Sequence, residues 1–153
     1  MITIDTVSKK YGKVEVLNVS SIEIPAGQSF GLVGNNGAGK TTLFNILLDL
    51  IRPTTGAITN NNIIVNQSED WKTFTGSFID ESFLIGYLTP EEYFEFIGDL
   101  RGMNTADVTK FLAQFDEFFN GEIVGKKKYL RDLSKGNQKK AGIIAAMMGD
   151  PKL

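Results

Sequence analysis

The run "GNNGAGKT" (Gly34 to Thr41) sets three glycines, a lysine and a threonine at the spacing G-x-x-x-x-G-K-[ST]. Glycines let the backbone wrap closely around an anion and aim successive N–H groups inward, and a helix starting at Lys40 adds the positive end of its dipole. In such a cradle Asn35, Asn36, Gly37, Ala38 and Gly39 supply the loop backbone. Lys40 neutralises β- and γ-phosphate charge, Thr41 offers its hydroxyl to Mg²⁺, and Thr42 follows in the same first helical turn. The chemistry indicated is nucleotide binding. By itself the run leaves kinases, GTPases, helicases and transport ATPases open.

A second stretch, "LSKGNQ" (Leu133 to Gln138), has the residue types of another anion site. Ser134 is a helix N-cap, Gly136 permits close backbone approach, and the first-turn N–H groups of the following helix face outward. An ordinary capped helix is the plain alternative for this stretch taken alone. The Phe-rich stripe from Phe111 to Phe119 reads as core, and "KKK" (Lys126 to Lys128) as a solvated loop.

The elements that must position these residues follow from periodicity. "ITIDTV" (Ile2 to Val7) and "VSSIEI" (Val19 to Ile24) alternate at period two, as half-buried strands do, with "SKKYGK" as a turn between them. "QSFGLV" (Gln28 to Val33) is a nearly continuous apolar run of the buried-strand kind. After the glycines, Leu43, Ile46, Leu47, Leu50 and Ile51 repeat at helical spacing and stop before Pro53. "TTGAI" reads as a turn, and "NNNIIV" and "FTGSFI" (Phe74 to Ile79) as strands. From about Leu84 the pattern becomes helical. Thr89, Pro90 and Glu92 spell an N-cap, a Pro at N1 and a reciprocal Glu at N3. A second helix is expected near Asn104, carrying Val108, Phe111, Leu112, Phe115 and Phe118 or Phe119. A third runs from Ser134 to Gly149, which sits where a C′ glycine belongs. The expected organisation is a nucleotide-binding core over 1–83, a helical subdomain over 84–132 and a final helix over 133–153.

Composition narrows the classes further. A chain of 153 residues with 42% apolar content can bury a core of ordinary size, which excludes a disordered or fibrous protein. It has no cysteine, hence no disulfide framework, and no histidine, the commonest general base. A net charge of −2 gives no whole-chain attraction to nucleic acid or anionic lipid. No apolar run approaches the ~20 residues of a spanning helix.

With these motifs in place, the stretch "LNVSSIEIPAGQSFGLVGNNGAGKTTLFNILLDLIRPTTGAI" (Leu17 to Ile58) resembles the opening of an ABC-type ATPase domain, including the "RPTTGAI" turn after the P-loop helix. "LSKGNQ" is similar to that family's signature, commonly LSGGQ, and stands at the corresponding place. The resemblance covers the whole chain. It implies an α/β P-loop NTPase core with an incomplete mixed or parallel sheet, N-terminal antiparallel strands and an α-helical subdomain. It implies ATP and Mg²⁺ as cofactors, and a role as the ATP-binding subunit of a transporter. The partners implied are membrane-spanning permease subunits and a second ATPase domain, and the location is the cytoplasmic face of the membrane. No nucleic-acid partner is expected.

Residue by residue, Tyr11 resembles the aromatic that stacks on adenine, with Val16 beside it. Ser134, Lys135, Gly136 and Asn137 would cover the γ-phosphate held by a partner ATPase domain. The sequence departs from the pattern at Lys135, where glycine is usual, and at Asn137, where Gln is usual. Lys135 either adds charge toward that phosphate or points to solvent. Asp80 stands where the family has a Gln that touches Mg²⁺; it can still ligate the metal through oxygen, with Glu81 as a competitor.

The family's water-activating Asp-Glu pair, at the end of an apolar strand after the signature helix, and its phosphate-sensing histidine have no counterpart here. "MMGDPKL" (Met147 to Leu153) is the stretch that ordinarily leads into that strand, so the chain reads as cut just before it. The expectation is a chain that holds nucleotide without hydrolysing it, and whose uncovered sheet edges favour artefactual self-association. Soluble ABC-type ATPases outside transport and noncatalytic nucleotide-binding modules are the alternative readings.

Overall fold

A computed structural model describes residues 1–153, which divide into two compact units, Met1–Lys72 and Thr73–Leu153. The first unit is built on a four-stranded antiparallel sheet in the order β2-β1-β3-β4. Its strands are β1 (Ile2–Tyr11), β2 (Val14–Ile24), β3 (Thr55–Asn60) and β4 (Ile63–Ile64). Ile2 pairs with Ile24 and Ile4 with Ile22 across β1 and β2, while Ile4 pairs with Ile58 of β3. That register puts Ile4, Val7, Leu17 and Ile58 on a buried face, joined by Val65 and Trp71. The indole N–H of Trp71 donates to the Val65 carbonyl at 2.9 Å.

Three differences from the sequence reading lie in this sheet. The first hairpin is longer than expected, because the strands continue past "SKK" to a two-residue turn at Gly12 and Lys13. "TTGAI" is strand rather than turn: Thr55 begins β3, and Gly56 has φ +77, with a Cβ there lying 2.3 Å from the Asp5 carbonyl oxygen, so both the backbone and the space call for glycine. "NNNIIV" holds the turn itself. Asn61 and Asn62 both have positive φ, which is the geometry of a tight primed hairpin turn, and β4 keeps only Ile63 and Ile64.

The helix α1 (Lys40–Leu47) follows the glycines and buries Leu43 and Ile46. It stops before the sequence reading did, at an Asp49 with φ 53. "QSFGLV" does not form the buried strand expected of it. No ladder joins residues 28–33, Phe30 is 50% exposed and Val33 is 94% exposed. A parallel-type strand needs neighbours on its edges and cover on both faces, and no strand within 1–72 supplies them.

The second unit is helical: α2 (Pro90–Leu100), α3 (Thr105–Ala113), α4 (Asp116–Phe119) and α5 (Lys135–Ala146). α2 begins as its sequence dictates. Thr89 caps it, and Glu92 completes the box by accepting from the Thr89 N–H at 2.8 Å. α3 repeats the device with Asn104 and Asp107. The expected single second helix is instead broken between α3 and α4, where Phe115 has φ −113. Gly149 lies beyond the C-cap Met147, with φ +76, and a Cβ there would meet the Arg101 side chain at 2.9 Å.

Phe94, Phe119, Ile123, Leu130, Ile144 and Met148 form the centre of one core that joins all four helices, with Val108 contributed by α3. Gly98 of α2 is required there, since a Cβ would stand 2.4 Å from Val108. "FTGSFI" is likewise not a strand; Phe74 ends a short 3-10 helix and residues 75–80 are irregular. A single rung survives. Leu153 N donates to Phe74 O at 3.3 Å and Gly76 N donates to Leu153 O at 2.8 Å, the bonding that one residue makes in a parallel ladder.

Hydrogen bonds from the Thr89 N–H and hydroxyl hold the Glu92 carboxyl below its ordinary value. A carboxyl depressed in the folded state contributes stability that is present above its unfolded pKa and lost as pH falls through its folded one. The melting temperature followed by far-UV circular dichroism is therefore expected to drop through the acid side of the carboxylate range. Glu92→Gln should flatten that part of the profile.

Candidate functional site

The phosphate-cradle residues lie between β2 and α1. Gly37 and Gly39 have φ +85 and +87, conformations that other residues adopt only with strain. Gly39 is doubly constrained, because a Cβ would lie 2.6 Å from the Val16 carbonyl oxygen and 3.1 Å from the Leu17 side chain. This contact seats the end of the loop on β2. Gly39 is also the N-cap of α1 and brings no side-chain cap, so the first-turn N–H groups of Lys40, Thr41 and Thr42 are left for an outside acceptor. Ala38 N closes a turn onto Asn35 O at 3.1 Å.

Lys40 folds back over this loop. Its ammonium donates to the carbonyls of Gly34 at 2.6 Å and Asn35 at 2.8 Å, so a cation already sits against the cradle. A cleft of about 590 Å³ opens beside it, lined by Val14, Val16, Leu32, Gly37, Gly39 and Lys40 among others. Of the expected binding residues the cleft gathers Val16 and Gly37 to Lys40. Asn35, Asn36 and Thr41 are exposed on the loop and first turn.

Tyr11 is the last residue of β1, paired with Val14, rather than a turn residue. Its ring is 55% exposed, and the Lys9 ammonium lies 5.0 Å from its centroid. One ring face therefore already receives a cation while the side chain stays open to solvent.

In the second unit the signature stretch starts α5 as expected. Ser134 Oγ accepts from Asn137 N at 3.2 Å. Gly136 is exposed, and a Cβ there would meet only Ser134 Oγ, at 3.9 Å. The Asn137 amide donates to Glu122 at 3.1 Å. The Lys135 side chain is 77% exposed, and its ammonium lies 3.7 Å from Glu81 Oε1.

Asp80 caps the short 3-10 turn Glu81–Phe83. It accepts from the Ser82 N–H at 2.8 Å and the Ser82 hydroxyl at 2.5 Å. These bonds, with a smaller contribution from Lys135, hold its carboxyl below the ordinary value, so it is ionised at neutral pH. No three acidic side chains gather into a ready-made metal site.

Two positioning residues were not singled out from the sequence. Gln138 is buried, and its amide donates to the carbonyls of Arg131 and Leu133, which fixes the approach to the signature turn. Arg101 holds the carbonyls of Thr73 and Thr75 on the segment leading to Asp80. In sequence they are marked only as a glutamine four residues after an N-cap and an arginine at a helix end.

The family model described as ABC transporter matches residues 17–153. The ABC transporter ATP-binding protein YhaQ of Bacillus subtilis is 35% identical over 153 residues, covering 100% of this chain and 50% of that protein. The bacitracin transport ATP-binding protein BcrA of Enterococcus faecalis is 33% identical over 161 residues, covering 100% and 49%. Among solved structures, the dimeric ABC transporter cassette MJ0796 superposes with a TM-score of 0.83 at 24% identity, covering 99% of this chain and 71% of that one. The same cassette in a post-hydrolysis state bound to ADP and Pi gives 0.80 at 26% identity over the same shares. The chain spans about half the length of the curated relatives it matches.

Proposed function

Because the chain belongs to the ABC transporter family, we propose that it is the nucleotide-holding part of an ATP-binding subunit that couples ATP binding and hydrolysis to transport across a membrane. The observation that carries this reading is the loop at Gly34–Lys40. Its two positive-φ glycines, its uncapped helix start and the Lys40 ammonium held by loop carbonyls give a basic cradle of the kind that suits phosphate. Phosphate oxygens would replace the Gly34 and Asn35 carbonyls as acceptors for Lys40.

Tyr11 and Val16 suit the base, since stacking on an exposed ring contributes on the order of 1–3 kcal/mol with little sequence demand. Thr41 is exposed in the first turn of α1 and suits Mg²⁺, which takes one or two protein oxygens and draws the rest from phosphate and water. Asp80, in the second unit, is in our reading a charged oxygen ligand suited to Mg²⁺. Its bonds to Ser82 keep one of its carboxylate oxygens occupied. The signature residues Ser134 to Asn137 would act on nucleotide held by a second ATPase domain in a head-to-tail pair. A similar cassette solved as a dimer supports the pairing of two such domains.

Permease subunits would place the assembly at the cytoplasmic face of a membrane; no helix of this chain is long and apolar enough to cross one. Relatives named for bacitracin and lantibiotic transport support a transport role. Exposed Phe30 and Val33 on the unladdered run make self-association of the isolated chain expected.

Binding without turnover is the reading for these 153 residues, because the chain has no histidine and the one carboxylate lining the cleft, Glu15, is engaged by the Asn18 amide and the Lys10 ammonium. Titration with a fluorescent ATP analogue should give saturable, Mg²⁺-dependent binding. Phosphate release should stay well below the ~1 s⁻¹ of ordinary enzymes. Release at that rate, abolished by Lys40→Ala, would overturn the absence of turnover, and no saturable binding would overturn the nucleotide reading itself.

A further inference from the structure

Lys9 and Tyr11 stand two positions apart at the end of β1, so their side chains leave the same face of the strand. The residue between them turns the other way, and the Lys10 ammonium lies 3.4 Å from Glu15 of β2. Beside this step the ladder shifts register. Lys9 faces Leu17 and Lys10 faces Glu15, which leaves Val16 as the extra residue of a bulge, a feature that re-aims neighbouring side chains. Tyr11 and Val16, the two residues that suit a base, therefore share one irregular end of the hairpin.

Lys9 is what backs the tyrosine ring. Its ammonium donates to the Arg52 carbonyl at 2.7 Å and lies over the Tyr11 ring, 5.0 Å from the centroid. The segment supplying that carbonyl is itself tied to β1: Thr54 N donates to the Ser8 carbonyl at 2.7 Å, and the Thr54 hydroxyl accepts from the Lys10 N–H at 2.9 Å. An ammonium has three donors, so the backbone bond and the ring contact do not compete. A half-exposed tyrosine next to a turn has several rotamers open to it, and a ligand that stacks on it must order it. We propose, resting on the nucleotide reading above, that Lys9 is a positioning residue for the nucleobase. It holds one face of the Tyr11 ring against the anchored ammonium and leaves the opposite face as the stacking platform. The contribution is to the base alone and leaves the phosphate cradle untouched.

The test is calorimetric titration of the parent, Lys9→Met, Lys9→Arg and Tyr11→Leu chains with MgATP and, separately, with inorganic triphosphate. Lys9→Met should weaken ATP binding about two- to tenfold, the range for ordering one side chain, and leave triphosphate binding unchanged. Lys9→Arg should restore ATP binding, since a guanidinium also donates to a carbonyl and packs on a ring. In the Tyr11→Leu background Lys9→Met should have no further effect. Equal or tighter ATP binding by Lys9→Met, or parallel weakening of ATP and triphosphate, would sink the proposal. Proton NMR of the nucleotide-free chain supplies the second arm: the Lys9 side-chain methylene signals should lie upfield under the Tyr11 ring and return to ordinary positions in Tyr11→Leu. Absence of that ring shift overturns the role of Lys9 while parent ATP binding stands. A ring shift in a parent chain that binds no ATP overturns the nucleotide reading, and the role of Lys9 falls with it.

Discussion

A Lys40→Ala chain is expected to bind ATP roughly ten- to a hundredfold more weakly than the parent, about 1.5–3 kcal/mol, the range for losing a charged hydrogen-bond donor. The fold should be almost indifferent to the change. Lys40 is partly exposed, and its bonds to the Gly34 and Asn35 carbonyls are made in solvent, where those acceptors can turn to water. Competition binding with a fluorescent ATP analogue, beside a thermal melt of the same samples, separates the two effects. An unchanged melting temperature with strongly weakened binding supports the cradle. Equal binding by both chains would mean that the cleft beside Val16 holds nucleotide without the lysine, or that nucleotide sits elsewhere.

The loop owes its shape to a contact that the motif spacing does not reveal. Gly39 closes the cradle because the backbone of β2 passes within reach of its missing Cβ. The motif's last glycine thus serves the packing of loop on strand as well as the approach of phosphate. Replacing either glycine of the positive-φ pair would strain the backbone whatever ligand was present.

What was legible in the sequence was local. The Thr89–Glu92 box, the Asn104 start and the Ser134 cap each depend on residues within one turn, and each stands where the spacing places it. The antiparallel hairpin of β1 and β2 was legible for the same reason, though its length was not. Gln28–Val33 and Phe74–Ile79 show the opposite case. Their apolar content reads as strand, but a strand is a relation between segments, and within each unit these runs find almost no partner. The Asn61–Asn62 turn was hidden in a run of three asparagines whose left-handed tolerance was the available clue. The pairing of Lys135 with Glu81 was illegible because 54 positions of chain separate the two charges, and only the packing of the 80–83 turn beside α5 brings them together.

Phe94→Ala is expected to be the most destabilising single truncation in the helical unit, costing about 3–5 kcal/mol. Phe94 is fully buried, its ring lies 5.9 Å from that of Phe119 and 6.1 Å from that of Tyr93, and it belongs to the one core that α2, α3, α4 and α5 share. Its loss removes apolar burial and leaves a cavity that the neighbours cannot easily fill, since Gly98 already holds α2 against Val108 at van der Waals limits. Domains of this size commonly have only about 5–15 kcal/mol of stability, so the variant's helices should be largely unfolded at modest urea. Far-UV circular dichroism follows those helices. Fluorescence of Trp71, the single tryptophan, reports the strand-rich unit separately. A loss below about 1 kcal/mol, typical of surface sites, would show that this core is not what holds the signature helix in place. A large loss would carry a functional consequence as well. Ser134 caps α5 and Lys135 begins it, and α5 is held through Ala141, Ile144 and Ala145, which pack in the same core as Phe94.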